Sequence, residues 1–552
     1  MSIPAGLSPE MCDMVVQTLR QVCARDLPDE KIIELDEADQ FPETLIRNLL
    51  SPDVGLHLIF LPESVGGLGG GARDICRVSE EMAAVDLGVA TAFLAICLGT
   101  DPILVGGTDE QKQKWLTRIA GEGMIVAYGV TEPEAGSNVA GIQTTADPIV
   151  DSSGQVTGYR LNGSKQFITN GSVAELYTIL AKAPGGLSFF VVERNTPGLG
   201  VGAHEEKHGI RASNTTGVLM EDVEVPVENL IGGVEGQCLK QANAVFGYTR
   251  LMVGAFGLGG GQAPLIRALN YAKTRQQFGA PIFEKEGYRL KLLVENWVDL
   301  AAGRAYAEQT ALTIDEGAKD LATEGSIAKY WCTEAGNRAA DAAIQALGGY
   351  GYTKEYLVEK MKRDVRITTI YEGTSEIQQS IIGMFRWKET VRSKGAFYEE
   401  LAAGMDEVQK ENGAVGAKIA AEAYRALNDT VQYMHAARLT RHQIVMFTLA
   451  DMMTVCEVAG ALVAKAARLA REGHGEAGHF AVMARVFARK AARMVQDGAG
   501  RCATGFLGDP DEADPSKGQA LVDSVNARFP IALVQGLWDD MNAVGDHLQD
   551  LV

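Results

Sequence analysis

A six-residue run between two Asn-Gly dipeptides is the feature that most limits the fold of this chain. Asn162-Gly163 and Asn170-Gly171 stand eight residues apart and bracket Ser164–Thr169. Asn-Gly is typical of a two-residue hairpin turn, because both central residues of a type I′ turn need positive φ. We therefore expect consecutive antiparallel strands here, within a β-rich region that extends from Val126 to about Val225.

Helical periodicity lies on both sides of this β-rich region. Apolar residues recur at helical spacing over 73–84 and 110–119 before it, and over 265–274, 290–317 and 333–346 after it. Beyond residue 391 an Ala-rich helical region follows. The sequence thus predicts a mainly α protein with a central β domain. We expect four domains, which are a helical domain (1–125), the β domain (126–235), a helical bundle (236–390) and an additional helical domain (391–552).

Charge and cysteine usage exclude several classes of protein. The 552 residues carry 51 Lys and Arg against 71 Asp and Glu, a net charge of −20, which argues against a nucleic-acid partner. The sequence has no run of about 18 uncharged apolar residues that would predict a membrane span. Its N-terminus lacks the basic start and apolar core of a secretory signal. The eight Cys are scattered without a C-x-x-C pair, so we expect free thiols in the cytoplasm and no metal site.

Two short motifs resemble binding sites but stand in the wrong context. The glycine-rich run 66–72 contains a G-x-G-x-x-A match. A helical pattern follows the run, and no β-α-β unit is completed. This context favours a flexible or close-packed loop over a dinucleotide site. Residues His204 to His208 spell H-E-x-x-H. Two zinc-binding His need one helix face, and this segment lies in the β-rich region, which favours a solvated turn.

Glu372 precedes a predicted helix N-terminus. Ser375-x-x-Gln378 matches a capping box, so a helix should begin just after Glu372. An apolar environment would raise the pKa of this carboxyl, while the positive end of the helix dipole would keep it ionisable. That combination suits a general base near neutral pH. From spacing alone, a Glu that helps to cap the helix is the favoured alternative.

Six segments together resemble the acyl-CoA dehydrogenase family over about residues 1–390. In chain order they are Pro62–Gly69, Val130–Ser137, Lys165–Gly171, Arg275–Gly279, Gln345–Gly349 and Tyr371–Gln378. The resemblance implies N-terminal helices, a β-barrel-like domain and a four-helix bundle. It also implies FAD, an acyl-CoA substrate, a homodimer or homotetramer, and electron-transferring flavoprotein as the oxidant. The helices beyond residue 390 are reminiscent of the long-chain branch, whose extra domain supports dimers and membrane association.

The resemblance implies that Glu372 is the base that removes the α-proton while the β-hydride passes to flavin N5. The backbone N–H of Glu372 would bind the thioester carbonyl and stabilise enolate-like charge. Some members carry the base on the first long helix of the bundle instead. Thr249 stands at that position here and cannot serve as a base, which supports Glu372. The implied acyl-CoA contacts are Ser137, Tyr248, Thr249, Arg250, Tyr371 and Gly373.

The same resemblance implies the residues that hold FAD. Those in the β domain are Tyr128, Val130, Thr131, Gly136, Ser137, Phe167 and Thr169. Those that would reach the FAD of a neighbouring subunit are Arg275, Phe278, Gln345, Gly348 and Gly349, and those that follow the base on the flavin side are Thr374 and Glu376. Phe167 replaces the Trp of several relatives. Gly247 and Glu286 replace an Asp and a Gln that often lie near the bound nucleotides.

A basic stripe marks one helix of the C-terminal region. Arg485, Arg489 and Arg493 recur every four residues beside apolar positions. Such a helix can lie on an anionic membrane surface, so a peripheral membrane contact is one interpretation. The solvated side of a bundle helix is the favoured alternative.

We therefore expect FAD-dependent conversion of an acyl-CoA to the trans-2-enoyl-CoA. Three alternatives remain at the level of sequence. The first is an acyl-CoA oxidase and the second a flavin monooxygenase, both on the same scaffold. The third is an assembly protein without catalytic activity, although the combination of Glu372, Thr131, Thr169 and Arg275 argues against it.

Overall fold

The computed structural model describes residues 6–318, 321–506 and 515–551, apart from the side chains of residues 239–248 and 515. The chain divides into two units. The first comprises Met1–Gly260, Ala311–Gly325 and Glu359–Thr368, and the second comprises Gly261–Thr310, Ser326–Val358 and Thr369–Val552.

Six helices precede the sheet in the first unit. Their starts follow local capping rules, since Ser8 Oγ accepts a hydrogen bond from Met11 N, and Thr108 and Gln111 form a reciprocal capping box. The helices are α1 (Pro9–Asp26), α2 (Asp29–Ala38), α3 (Glu43–Leu50), α4 (Ala72–Val85), α5 (Leu87–Gly106) and α6 (Asp109–Glu122).

Helix α5 forms the core of this unit. A Cβ at Gly99 would lie 2.8 Å from Val126 Cγ1, so only glycine lets the helix approach the first strand this closely. The hydroxyl of Thr178 donates to Gly99 O at 2.9 Å, which adds a polar link to the sheet. The long apolar sequence of α5 is therefore explained by burial on nearly all sides.

The central sheet has seven strands. They are β1 (Val126–Gly129), β2 (Thr145–Val150), β3 (Val156–Thr169), β4 (Leu176–Ala183), β5 (Gly186–Glu193), β6 (Leu199–His204) and β7 (Thr215–Pro226). Their order is β1-β4-β2-β3-β7-β6, with β5 paired to β4. β1 runs parallel to β4, and the β2–β3, β3–β7, β4–β5 and β6–β7 pairs are antiparallel. The mainly α fold with a central β domain is confirmed.

The predicted hairpin at Asn162-Gly163 is wrong. Both residues lie inside β3, where the ladder with β7 shifts register between Leu161 and Gly163. Asn162 Nδ2 donates to Asp222 Oδ1 at 3.1 Å, and Asp222 N donates to Asn162 Oδ1 at 2.8 Å. The dipeptide therefore forms part of a β-bulge, another structure that suits these residue types. Asn170-Gly171 does form a turn, with φ 63° at Asn170, but β3 pairs with β2 and β7 instead of the next strand.

The glycine-rich run and the H-E-x-x-H segment both have ordinary structural roles in the first unit. A Cβ at Gly67 would lie 2.0 Å from Leu61 O, and one at Gly70 would lie 2.7 Å from Ile59 O. The glycine-rich run is thus a close-packed loop, preceded by a 3-10 helix at Leu56–Phe60. His204 ends β6 and the residues after it are not helical, so the H-E-x-x-H segment lacks the helix that a zinc site of this type needs.

Helices dominate the rest of the chain. Those up to residue 392 are α7 (Cys238–Thr274), α8 (Glu286–Tyr288), α9 (Glu295–Asp315), α10 (Ala322–Leu347), α11 (Val358–Val365) and α12 (Ser375–Arg392). The short strands β8 (Gln276–Gln277) and β9 (Ala280–Pro281) form a hairpin, and residues Arg289–Val294 form a π-helix. The helices of the C-terminal extension are α13 (Ala396–Glu411), α14 (Ala417–Ala436), α15 (Gln443–Arg471), α16 (Ala477–Thr504), α17 (Pro515–Ala527), α18 (Ile531–Val534) and α19 (Leu537–Asp550).

The extension packs on α12 through a buried ion pair. Arg386 Nε of α12 lies 2.8 Å from Glu457 Oε1 of α15, and both side chains are buried. The hydroxyls of Tyr306 and Tyr398 donate to the same carboxylate at 3.2 and 3.3 Å. A buried charge with this many partners is satisfied, and removal of one partner is costly. Helices α12 and α15 are therefore joined in one core.

The basic stripe of α16 contacts another helix. Arg489 Nη1 lies 2.6 Å from Asp540 Oδ2 of α19, and Arg485 pairs with the same carboxylate. Arg489 is buried. The stripe therefore belongs to a bundle helix, but the prediction that it is the solvated side is wrong for Arg489, because this side chain is buried against α19.

Two of the described helices are long and apolar enough to cross a membrane. In α5 and α15, 83% and 78% of the most apolar window is buried within the protein. Such burial is typical of core helices.

Candidate active site

Two of the motif segments lie side by side in the first unit, one directly after β1 and the other at the end of β3. The segment after β1 contains Thr131, and the last part of β3 contains Lys165 and Phe167. Gln166 N donates to Thr131 O at 2.9 Å, and Lys165 Nζ donates to Val130 O at 3.2 Å. The structure thus brings the predicted FAD residues Val130, Thr131 and Phe167 together.

A buried ion pair holds these two segments. Lys165 Nζ lies 2.7 Å from Glu132 Oε1. Burial lowers the pKa of Lys165 despite the carboxylate beside it. Burial would raise the pKa of Glu132, but hydrogen bonds from Gln143 N, Lys165 and Thr144 lower it overall. The pair is therefore a fixed structural contact that sequence reasoning recognised only as part of a motif.

Phe167 has an unusual backbone and an unusual exposure. Its φ is 58°, and the β3–β7 ladder shifts register between Lys165 and Ile168. Its side chain is 64% exposed although it is aromatic. A bulge re-aims a side chain out of the regular alternation of a strand, and a non-glycine residue at positive φ is strained. A positive φ and an exposed aromatic ring are both typical of a residue that binds a ligand. Thr169, at the end of β3, pairs with Thr215.

The other predicted FAD residues near Thr131 lie before and after it in the chain. Tyr128 is in β1, and its ring stacks on Phe189 at 5.7 Å. Gly136 and Ser137 are exposed, and a Cβ at Gly136 would meet no heavy atom within 4 Å. Their backbone is therefore open to approach.

The loop with Glu372 lies in the second unit and has a preset backbone. Glu372 has φ 54° and Gly373 has φ 90°. Gln378 Nε2 donates to the carbonyl oxygens of both residues, at 3.1 and 2.9 Å. The fully buried Lys329 of α10 donates to Gly373 O at 2.5 Å. Two buried side chains thus hold the carbonyls of a strained turn.

The helix N-cap is one residue earlier than predicted, and the predicted capping box does not form. The N-cap of α12 is Thr374, whose Oγ1 accepts from Ile377 N at 3.4 Å. Ser375 instead donates to Glu334 Oε1 at 2.6 Å. Gln378 completes no capping box, because its Oε1 accepts no hydrogen bond from the described residues while its Nε2 donates to the loop. Thr374 is thus a helix cap, and Glu376 is exposed in the first turn.

Lys329 and Gln378 were missed as site residues from the sequence. A signal existed for Lys329, because it shares a helical stripe with Ser326 and Thr333, which are both fully buried. A lysine within a buried stripe must satisfy its ammonium locally. For Gln378 the capping-box interpretation hid its role.

A cavity of about 450 Å³ lies in the second unit between the ends of α7 and α10. A guanidinium, two amides and exposed glycine backbone are the chemistry of a phosphate or diphosphate site. A Cβ at Gly348 or Gly349 would meet no heavy atom within 4 Å, so there is open space beside both residues. The lining residues are Tyr271, Arg275, Gln277, Ile282, Gln345, Ala346, Leu347, Gly348, Gly349, Tyr350 and Thr353.

This cavity joins two predicted segments, while Phe278 is not among its lining residues. Arg275, Gln345 and the Gly348-Gly349 pair line it together. Phe278 lies at the tip of the β8–β9 turn with φ 52°, and its side chain is 94% exposed. Gln277, Tyr271 and Ile282 line the cavity but were not predicted.

The predicted acyl-CoA residues fall into both units. Thr249 and Arg250 are buried in α7, and Arg250 Nη1 donates to Ala322 O at 3.2 Å. Tyr248 and Gly247 lie outside the described side chains. Tyr371 and Gly373 flank Glu372 in the second unit, and Ser137 belongs to the first.

Three family models match successive parts of the chain. They are the acyl-CoA dehydrogenase N-terminal domain at residues 9–122, the middle domain at 127–223 and the C-terminal domain at 236–385. Together they span every segment described above for the candidate site.

Individual proteins agree with these matches. An acyl-CoA dehydrogenase of Bacillus subtilis is 36% identical over 379 residues, which covers 67% of this chain and 97% of that protein. A caffeyl-CoA reductase–Etf complex subunit of Acetobacterium woodii is 34% identical over 380 residues, covering 68% and 97%. The crystal structure of an acyl-CoA dehydrogenase complexed with FAD from Bacillus anthracis has a TM-score of 0.82 at 23% identity, covering 100% of this chain and 97% of that chain. The fold of the C-terminal extension is thus shared with a solved protein.

Proposed function

Because the chain belongs to the acyl-CoA dehydrogenase family, it is an FAD-dependent oxidoreductase, and we propose that Glu372 is its catalytic base. The proposed reaction converts an acyl-CoA thioester to the trans-2-enoyl-CoA. The observation that carries this proposal is the preset turn at Glu372 and Gly373, whose carbonyls are held by Lys329 and Gln378.

The turn suits proton abstraction for a physical reason. Its two positive-φ residues and their buried donors define one backbone conformation before substrate arrives. A base that is already oriented avoids the loss of conformational freedom at the moment of reaction. The α-proton of the thioester passes to the Glu372 carboxylate, and the β-hydrogen leaves with its electron pair. The double bond forms between the two carbons.

The cavity of the second unit and the predicted β-domain residues of the first unit each offer groups that fit part of an FAD. Arg275 and Gln345 offer side-chain donors for a pyrophosphate, and Gly348 and Gly349 leave space beside them. Thr131 and Thr169 offer hydroxyls, and the exposed Phe167 offers an aromatic face. When bound, FAD supplies the acceptor for the hydride. We propose that Tyr128, Val130, Gly136 and Ser137 hold FAD together with Thr131, Phe167 and Thr169. Arg275, Phe278, Gln345, Gly348 and Gly349 would reach the FAD of a neighbouring subunit, and Thr374 and Glu376 follow the base on the flavin side.

The oxidant is proposed to be electron-transferring flavoprotein. The relative from Acetobacterium woodii is named as a subunit of an Etf complex, and its likeness covers 97% of that protein. An acyl-CoA oxidase would instead pass electrons to oxygen. Reoxidation of the reduced flavin in air separates the two. We expect it to be much slower than turnover with electron-transferring flavoprotein, and reoxidation at turnover rate would identify an oxidase.

The proposed base is tested by single-turnover reduction. The purified holoenzyme is mixed with a panel of acyl-CoA thioesters while the absorbance of the oxidised flavin is followed. We expect bleaching with at least one thioester. Glu372→Gln should abolish bleaching and leave FAD bound, since the amide keeps the shape but cannot accept the proton. Bleaching at the wild-type rate in this variant would place the base elsewhere.

A further inference from the structure

Helix α19, the last helix of the C-terminal extension, contacts the segments around the Arg275 cavity. Lys273 Nζ, two residues before Arg275, donates to Gln549 O at 2.7 Å. Asn542 Nδ2 donates to Glu286 Oε1 at 2.8 Å, and Arg289 Nη2 donates to Asn542 Oδ1 at 2.7 Å. Asn542 therefore bridges Glu286 and Arg289 from outside the residues 236–385 that match the family.

The side chain of Arg289 packs closely against α19. Its guanidinium lies 5.5 Å from the Phe283 ring, and Nη1 lies 3.1 Å from Asp546 Oδ1. A Cβ at Gly545 would lie 2.8 Å from Arg289 Nε, so a larger residue there would require the end of the Arg289 side chain to shift. The side chain of Arg289 is 14% exposed, although Asp546 is 71% exposed. The fit is thus mainly one of packing and hydrogen bonds, since an exposed carboxylate contributes little.

The residue before Arg289, Tyr288, connects this contact to the cavity. Tyr288 Oη donates to Ala346 O at 2.9 Å, and Ala346 lines the cavity. Burial raises the pKa of the Tyr288 hydroxyl, which therefore stays a donor at physiological pH. The α7 end of the cavity is tied to α19 through Lys273, and the α10 end is tied to it through Tyr288 and Arg289.

We infer that α19 positions both walls of the Arg275 cavity for a nucleotide diphosphate, with Asn542 and Arg289 as the positioning residues. This inference rests on the proposed function, in which the cavity takes part of FAD. It gives the C-terminal extension a role in cofactor retention. It also gives Glu286, which departs from the family pattern, a defined partner in Asn542.

The test is the rate of FAD release from the holoenzyme, followed by the fluorescence of free flavin after dilution. Asn542→Leu removes both hydrogen bonds at nearly constant volume, and Gly545→Ala displaces Arg289 without a change at Asn542. We expect each variant to release FAD about tenfold faster. The matched control is Asn526→Leu on α17, whose amide oxygen accepts only from exposed Gln496 Nε2 among the described contacts. Its release rate should stay within twofold of the wild type.

A second readout separates positioning from general stability. At saturating FAD, kcat of the Asn542→Leu enzyme should return to the wild-type value. Unchanged release in both Asn542→Leu and Gly545→Ala would overturn the inference, whatever their melting temperatures. A wild-type protein that binds no FAD would instead contradict the proposed function.

Discussion

The ammonium of Lys165 lies 2.7 Å from Glu132 Oε1, and the exposed fractions of the two side chains are 0% and 4%. This ion pair joins the segment after β1 to the end of β3. Because Lys165 also donates to Val130 O, it fixes the backbone on which Thr131 stands. A contact made for stability thus sets the position of a predicted flavin residue.

Lys165→Met is expected to destabilise the protein strongly. It leaves the Glu132 carboxylate buried without its countercharge, and loss of one partner of a buried pair costs about 3–5 kcal/mol. The measurement is the free energy of unfolding from denaturant titration. Arg160→Met in the exposed Arg160–Glu224 pair of the same sheet is the control, with an expected cost below about 1 kcal/mol. Equal costs for the two variants would contradict a structural role for the buried pair.

Gln378→Leu is expected to slow flavin reduction by about tenfold while FAD stays bound. The substitution removes the two hydrogen bonds to Glu372 O and Gly373 O, each worth about 1 kcal/mol, and so loosens the turn that orients the base. Stopped-flow bleaching of the flavin by acyl-CoA measures the effect.

Gln379→Leu on the same helix is the matched control for this prediction. Its amide donates to Asp451 Oδ1 at 2.7 Å rather than to the loop. We expect reduction within about twofold of the wild type. If both variants slow reduction equally, the effect comes from α12 as a whole and not from the turn.

The sequence predicted the fold class well because the fold class depends on local pattern. Periodicity and glycine stops located the helices, and a motif placed Glu372 just before α12. The strand pairing failed at Asn162, because the same dipeptide suits a type I′ turn and a β-bulge, and the choice depended on Asp222 in a distant strand.

Contacts between distant segments account for the residues that the sequence did not reveal. Lys329 lies on α10, 44 positions before Gly373 in the sequence, and only tertiary packing brings its ammonium to the Gly373 carbonyl. Asn542 reaches Glu286 over 256 positions. No local pattern encodes such pairs, so the structure was needed to find them.

Phe167→Asn is expected to stabilise the apoprotein while weakening FAD binding. Asn tolerates the left-handed backbone at φ 58° better than Phe, and the relief is worth up to about 1 kcal/mol. The exposed Phe ring contributes little to the core, but we propose that it contacts the flavin. Melting of the apoprotein and titration with FAD measure the two effects. A variant that loses stability without loss of FAD affinity would show that Phe167 serves the fold instead.

His479 of α16 makes the stability of the extension depend on pH. Its ring stacks on His547 of α19 with centroids 3.7 Å apart, and Glu476 Oε2 lies 3.3 Å from His547 Nε2. Burial, together with the neighbouring His547, lowers the pKa of His479 from 6.5 to about 4. Between these two values the unfolded chain binds more protons than the folded one, so the free energy of unfolding falls as the pH falls through this window.

We expect the loss between pH 7 and pH 4 to be on the order of 2 kcal/mol, since one pKa unit corresponds to about 1.4 kcal/mol and the ring is only partly buried. His479→Phe keeps an aromatic ring against His547 but cannot take up a proton, so its stability should fall less over the same range. Denaturant titration at several pH values measures the difference. His474→Phe, at an exposed position in the preceding turn, should retain the wild-type slope. If the His479→Phe slope also matches the wild type, the pH dependence arises elsewhere, because the proton uptake assigned to the buried ring has been removed without effect.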